Sequence, residues 1–167
     1  MIKKGGLINI RRVFFKELYK HMKKNDKIYA LTGDLGYGGF NKIRDDFPDR
    51  FLNCGASEGA MLDIAVGLAL SGKIPFVYSI TPFLLYRGFE TIRTYINHEV
   101  INVKLIGSGR DKDYEIDGFS HHSEDDREIM RVFTKINKKS PHNKDAIPEL
   151  MDEMIRVNIP FYLNLRR

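Results

Sequence analysis

With one cysteine in 167 residues, Cys54, the chain has neither an intrachain disulfide nor a cysteine metal site. The plain reading is a reducing, cytoplasmic setting. No stretch is long and uncharged enough to span a bilayer. The segment Met1 to Leu7 carries two lysines with no apolar run behind it, so neither membrane insertion nor secretion is expected. No repeat, low-complexity tract or long linker interrupts the chain. It reads as one domain over 1–167, with residues 1–8 a flexible N-terminal segment. An aromatic–basic recognition motif is missing too, and the basic residues are scattered apart from Lys138-Lys139 and Arg166-Arg167. The net charge of +5 therefore describes a solvated basic surface with some affinity for phosphorylated metabolites, and no nucleic-acid partner is expected.

What is present is an alternation of helical and strand-like segments. Ile10, Phe14, Leu18 and Met22 recur every fourth residue, the spacing of an amphipathic helix. Ile28 to Leu31 is a short apolar run that exits through Thr32-Gly33-Asp34. A short helix follows over Asn41 to Phe47, closed by Pro48. Further on, strands are expected at Phe51-Leu52, Ile74 to Ser79, Asn102 to Ile106, Phe133 to Ile136 and Phe161 to Leu165. Helices are expected over Ser57 to Ser71, Phe83 to Asn97 and Asp145 to Val157, with a capped start at Ser123-Glu124-Asp125-Asp126. Strands separated by helices predict a three-layer α/β fold, a mostly parallel sheet covered by helices on both faces. Ligands in such folds sit beyond the carboxyl ends of the strands. The loops after Leu31, Leu52, Ser79 and Ile106 are where polar residues, aromatics and glycines collect.

Three segments carry chemistry. In Gly55-Ala56-Ser57-Glu58-Gly59-Ala60-Met61, Glu58 falls one turn before an apolar helix face expected from Met61, Ile64, Ala65 and Leu68. A carboxylate there is costly to desolvate unless it is protonated, paired or functional. The spacing equally fits a first-turn glutamate in water, favouring the helix dipole. In Pro82-Phe83-Leu84-Leu85-Tyr86-Arg87-Gly88-Phe89, Phe83 and Tyr86 share a helix face that could stack on a flat heterocycle or simply pack in the core. Asp117-Gly118-Phe119-Ser120-His121-His122-Ser123-Glu124-Asp125 sets two histidines beside carboxylates. Adjacent side chains point apart and no spaced third ligand is evident, so acid–base or hydrogen-bonding work by one histidine fits better than metal ligation; a solvated polar loop is the plain alternative. The glycines of Gly33-Asp34-Leu35-Gly36 and Gly38-Gly39 have neither the lysine of a P-loop nor the spacing of a dinucleotide fingerprint.

Taken in order, Gly33-Asp34-Leu35, Gly55-Ala56-Ser57-Glu58, Gly67 to Gly72, Ile74-Pro75-Phe76, Phe83-Leu84 and Gly118-Phe119-Ser120-His121 resemble the pyrimidine-binding domain of transketolases and deoxyxylulose-phosphate synthases. The similarity runs from about Val13 to Arg167. Each motif is weak alone, and their order and spacing make the combination specific. The resemblance implies thiamin diphosphate as cofactor. It makes Glu58 the residue that hydrogen-bonds a ring nitrogen of the aminopyrimidine and so activates the thiazolium carbon. It places Phe83, Tyr86 and Ile80 against the pyrimidine, Ile80 standing where the family usually has another aromatic, and Asp34 near the cofactor at a subunit interface. His121 and Asp117 match residues that contact substrate oxygens, and Arg166 or Arg167 a phosphate-binding arginine. A second family histidine is expected near Gly109-Arg110, where this sequence has none.

A diphosphate-binding domain, whose Gly-Asp-Gly motif holds the Mg2+-bound diphosphate, has no counterpart in these residues, nor has a third C-terminal domain. The resemblance thus implies a split enzyme, a heteromer in which a separate diphosphate-binding subunit completes the site. Two copies of each subunit would then move a two-carbon ketol unit between sugar-phosphate substrates. Two alternatives stand beside it: a subunit of another thiamin-dependent enzyme, such as a synthase or an oxoacid decarboxylase or dehydrogenase, and a non-catalytic regulatory subunit that keeps the fold.

Overall fold

The computed structural model describes residues 9–167, so the flexible segment expected over residues 1–8 lies outside the described residues. Six strands form one wholly parallel sheet in the order β2-β1-β3-β4-β6-β5. They are β1 (Ile28–Thr32), β2 (Phe51–Asn53), β3 (Ile74–Ile80), β4 (Lys104–Ser108), β5 (Asn137–Lys139) and β6 (Phe161–Leu165). The helices are α1 (Ile10–Lys24), α2 (Asn41–Asp46), α3 (Glu58–Leu70), α4 (Thr81–Arg87), the single turn α5 (Phe89–Thr91), α6 (Asp126–Arg131) and α7 (Ile147–Arg156). They cover both faces, the three-layer α/β arrangement expected from the alternation of elements.

The strands are apolar on both sides because the sheet is buried on both sides. Ile28 and Ala30 of β1, Phe76 and Tyr78 of β3, Ile106 of β4, and Phe161 and Leu163 of β6 face α1, α2 and α7. Their neighbours in the pleat, Leu31, Val77, Leu105 and Tyr162, face α3, α4 and α6. Phe14, Leu18 and Met22 of α1 are fully or almost fully buried, as their four-residue spacing predicts.

Several boundaries differ from the sequence reading for identifiable reasons. The long helix expected over Phe83 to Asn97 starts at Thr81, breaks at Gly88, and continues through α5 into a π-helical stretch, Ile92–His98. Packing requires the glycine at that break: a Cβ at Gly88 would lie 1.9 Å from a methyl of the fully buried Leu62. The segment Phe133 to Ile136 is not a strand; Phe133 and Ile136 are buried as a plug while Thr134 and Lys135 between them are exposed, and the edge strand β5 begins one residue later, pairing Asn137 with Phe161. Ser123 does not cap a helix, because its hydroxyl donates to the Gly109 carbonyl and α6 starts three residues on. In α3 the buried apolar residues are Met61, Leu62, Ala65 and Val66, whereas Ile64 is exposed. That helix is apolar nearly all round, so periodicity does not select its buried face.

Among the buried charge-bearing groups, Lys104 lies away from the ligand-binding edge. Lys104, fully buried on β4, donates from Nζ to the carbonyls of Val157 (3.2 Å) and Ile159 (2.6 Å). Burial pushes its ammonium down to about 7, from 10.5. Between those two values the unfolded chain binds the extra proton, so this residue makes stability rise as pH climbs from about 7 towards 10.5. Urea unfolding of wild type and Lys104→Met at several pH values within that window checks it. The difference in stability should move in favour of the wild type by up to about 1.4 kcal/mol per pH unit; parallel curves would refute this origin.

Candidate active site

In the strand order, β1 sits between β2 and β3, so the chain leaves β1 in one direction and returns on its other side. The resulting crevice at the carboxyl ends of β1 and β3 is where doubly wound sheets bind ligands. Glu58, the first residue of α3, is delivered there and is only 2% exposed. Its Oε1 accepts from the Ser79 hydroxyl at the end of β3 (3.0 Å), and its Oε2 accepts from Nη1 of Arg87 (2.7 Å). At the end of β1, a Cβ on Gly33 would lie 3.2 Å from Glu58 Oε1, so this glycine keeps space open beside the carboxylate.

Helix α4 builds the adjoining wall. Phe83 meets the His121 ring edge-on at 4.8 Å between centroids, and the Arg87 guanidinium lies 4.0 Å over the Phe83 ring. Tyr86 is half exposed, and its hydroxyl donates to Asp125. Burial, and then the bond to Asp125, push its phenol well above the ordinary tyrosine value. Phe83, Tyr86, Arg87, Phe119, His122 and Asp125 help to line a cavity of about 640 Å³. Nε2 of His122 is buried without a hydrogen-bond partner among the described residues.

A second cavity of about 650 Å³ is lined in part by Arg11, Leu35, Tyr78, Ile80 and Tyr114. Arg11 Nη1 donates to the Tyr114 hydroxyl (2.9 Å), which is 2.8 Å from Ser108 Oγ; the Tyr78 hydroxyl donates to that same Oγ at 3.0 Å. Asp34 lies on the exposed exit from β1 and accepts from the Tyr37 hydroxyl at 3.0 Å. Asp117 is 3.9 Å from Nη1 of Arg167, whose guanidinium lies over Tyr114 at 4.7 Å. Arg166 instead pairs with Asp111 (3.1 Å) and Asp113 (3.5 Å).

Of the residues singled out in the sequence, the structure thus gathers Glu58 and Phe83 around Arg87, with His121 at the ring edge. Tyr86 and Ile80 line the two cavities, and Asp117 and Arg167 form a separate pair at the rim. Arg87, Ser79 and Arg11 were not singled out. Arg87 follows Phe83 by four residues on one helix, which was a legible signal. Ser79 and Arg11 gave none, because only the tertiary fold brings them in. Arg110, where the family's second histidine was expected, is buried with its guanidinium turned inward to the carbonyls of Pro141 and Asn164.

A buried carboxyl at the switch point of a parallel sheet, beside an aromatic wall and two cavities, defines a ligand-binding α/β domain. The family comparison gives it a narrower place: residues 7–167 match the transketolase, pyrimidine-binding domain. The chain belongs to that family. It is 28% identical over 159 residues to the 6-deoxy-6-sulfo-D-fructose transketolase subunit SqwH of Clostridium sp. (strain MSTE9), covering 95% of this chain and 49% of that protein. It is 33% identical over 120 residues to an apulose-4-phosphate transketolase subunit of Actinobacillus succinogenes, covering 72% and 39%. A solved split-gene transketolase, an inactive β4 tetramer, superimposes with a TM-score of 0.84 at 29% identity, over 97% of this chain and 52% of that one. The chain spans about half the length of such relatives.

Proposed function

We propose that this chain supplies the pyrimidine half of a thiamin-diphosphate site in a split transketolase-like enzyme, with the diphosphate and its Mg2+ held by a separate subunit. The observation that carries the reading is Glu58, a carboxyl almost wholly out of water at the β1/β3 crevice. Its neighbours support an aminopyrimidine as the ligand. Gly33 leaves space beside the carboxylate, and Phe83 offers an aromatic face on the neighbouring cavity.

Thiamin diphosphate, when bound, supplies the carbon nucleophile and electron sink that break and form carbon–carbon bonds next to a carbonyl. The residues of this chain do the rest. Glu58 holds a proton at the carboxyl oxygen facing a ring nitrogen, and Ser79 fixes the orientation of that carboxyl through the other oxygen. Phe83, Tyr86 and Ile80 form the wall against the ring and keep water from it, with Asp34 at the mouth. His121 and Asp117 address substrate hydroxyl and carbonyl oxygens, and Arg167 a substrate phosphate. Relatives that act on apulose 4-phosphate or 6-deoxy-6-sulfo-D-fructose support a sugar bearing an anionic group as the substrate. The inactive β4 assembly of a related split-gene protein supports a requirement for the second subunit.

The test is ketol transfer from a ketose phosphate to an aldose phosphate, measured with this chain, with its diphosphate-binding partner, and with both. Turnover is expected only in the mixture. Robust turnover by this chain alone would refute the split site. Arg110 turns away from the site, so no imidazole stands at the second histidine position, and this favours a synthase-type subunit as the second reading. Turnover with a 2-oxoacid donor but not with a ketose phosphate would select it.

A further inference from the structure

Arg87, with a side chain half in water, makes two contacts at once: it hydrogen-bonds the buried Glu58 and stacks on Phe83. We propose that its guanidinium is a resident occupant of the pyrimidine slot, which must swing out before an aminopyrimidine can bind. The inference rests on the cofactor reading above.

Guanidinium is planar and delocalised, donates hydrogen bonds in its plane and stacks on aromatic faces. A flat aminopyrimidine held by a carboxyl and an aromatic wall needs those same two surfaces. Nη1 of Arg87 sits 2.7 Å from Glu58 Oε2, and its Cζ lies 4.0 Å over the Phe83 ring. Ser79 already donates to the other carboxylate oxygen, and His121 closes one edge of Phe83. The face of Phe83 beneath Arg87 cannot carry a second flat group while the guanidinium remains. The two partners differ in exposure, 45% for the Arg87 side chain against 2% for that of Glu58. Glu58 is therefore the fixed member of the pair and Arg87 the one that can withdraw into solvent. A pair with one solvated partner is held lightly and weakens in salt. Arg87 acts through Glu58 and Phe83 and is a positioning residue: it keeps the buried carboxylate paired in the free subunit and yields its place to the ligand.

The experiment is calorimetric binding of 4-amino-5-hydroxymethyl-2-methylpyrimidine, an uncharged aminopyrimidine without a diphosphate, to the assembled complex. Wild type, Arg87→Met and Arg87→Lys are compared at low and high salt, with thermal unfolding to confirm folded protein. Arg87→Met should bind about fivefold more tightly than wild type. Added salt should tighten binding to the wild type and leave Arg87→Met unchanged. Lysine keeps the charge without the planar stack, so Arg87→Lys should fall between them, and that variant carries the test if the methionine protein fails to fold. A merely structural arginine predicts the reverse order, with weaker binding in both variants. Equal or weaker binding by the variants, alongside clear binding by wild type, overturns this inference alone. Binding by none of the proteins overturns the cofactor reading and this inference with it.

Discussion

Glu58→Gln should lower thiamin-dependent turnover of the assembled enzyme by roughly two to four orders of magnitude, the range associated with losing a positioned proton-transfer group. Glutamine keeps the length and shape of the side chain, and its amide oxygen can still accept from Ser79 Oγ, now 3.0 Å from Glu58 Oε1. What it loses is the ability to hold and return a proton, together with the charge that pairs with Arg87. Because Glu58 is buried within this chain, assembly with the partner subunit should be unchanged, and co-elution of the two subunits is the control. A loss of turnover with intact assembly supports the catalytic reading. Turnover within tenfold of wild type would contradict it and favour a subunit that retains the fold for regulation.

The second large effect concerns the floor on which the substrate loop stands. Asp126 of α6 is buried and accepts from the Tyr162 hydroxyl at 2.9 Å and from the Asn164 amide. Asn164 in turn accepts from Arg110 Nε at 3.2 Å, through its side-chain oxygen, and Arg110 also donates to Pro141 O at 2.8 Å. This network ties β6, α6 and the loop after β4 into one unit, and its members have no water to fall back on. Burial, and then the Asp126 carboxyl, push the Tyr162 phenol well above its ordinary value. Asp126→Ala takes the acceptor from the buried Tyr162 hydroxyl and leaves the Asn164 amide only its 3.0 Å bond to the Tyr162 oxygen, which should cost about 3 kcal/mol. For a chain of this length that corresponds to a fall in melting temperature of roughly 6–12 °C. Asp126→Asn keeps an oxygen for both donors and should lose much less. Hydrogen exchange should become faster over residues 110–125 in the alanine variant, since that loop carries Asp117 and His121. Melting temperatures of wild type and alanine variant within about 2 °C of each other would show that the network does not carry this load.

The layer arrangement was legible because strand and helix periods differ and because each apolar run had a length suited to one of them. Phe14, Leu18 and Met22 fall on one side of a helix however it is placed, and all three are buried. Where a run was apolar without a period, local pattern had nothing to choose with. In α3, Leu62 rather than Ile64 is buried. A short segment with two apolar ends misleads in another way: Phe133 and Ile136 plug the core on either side of exposed Thr134 and Lys135, and the strand beside them is made of Asn137, Lys138 and Lys139. The edge strand is polar because only its pairing with β6, not its side chains, defines it.

The same limit governed the site. Spacing could not decide whether Glu58 was buried, since a first-turn glutamate is at home in water; the approach of Gly33 and Ser79 from two strands decides it. The ion pair with Arg87 joins residues 29 apart and has no local signature beyond the four-residue step from Phe83. The inward turn of Arg110 depends on β6, more than 50 residues further along the chain. Residues that share an element could be grouped from sequence, and residues brought together by different strands could not.

The most direct test of the half-site account is calorimetric binding of thiamin diphosphate with magnesium to this chain alone, to its diphosphate-binding partner alone, and to the two mixed. The account predicts strong binding in the mixture and little or none to either protein on its own, with Glu58→Gln weakening the binding seen in the mixture. Absence of binding in the mixture, with the two proteins shown to associate, would contradict it.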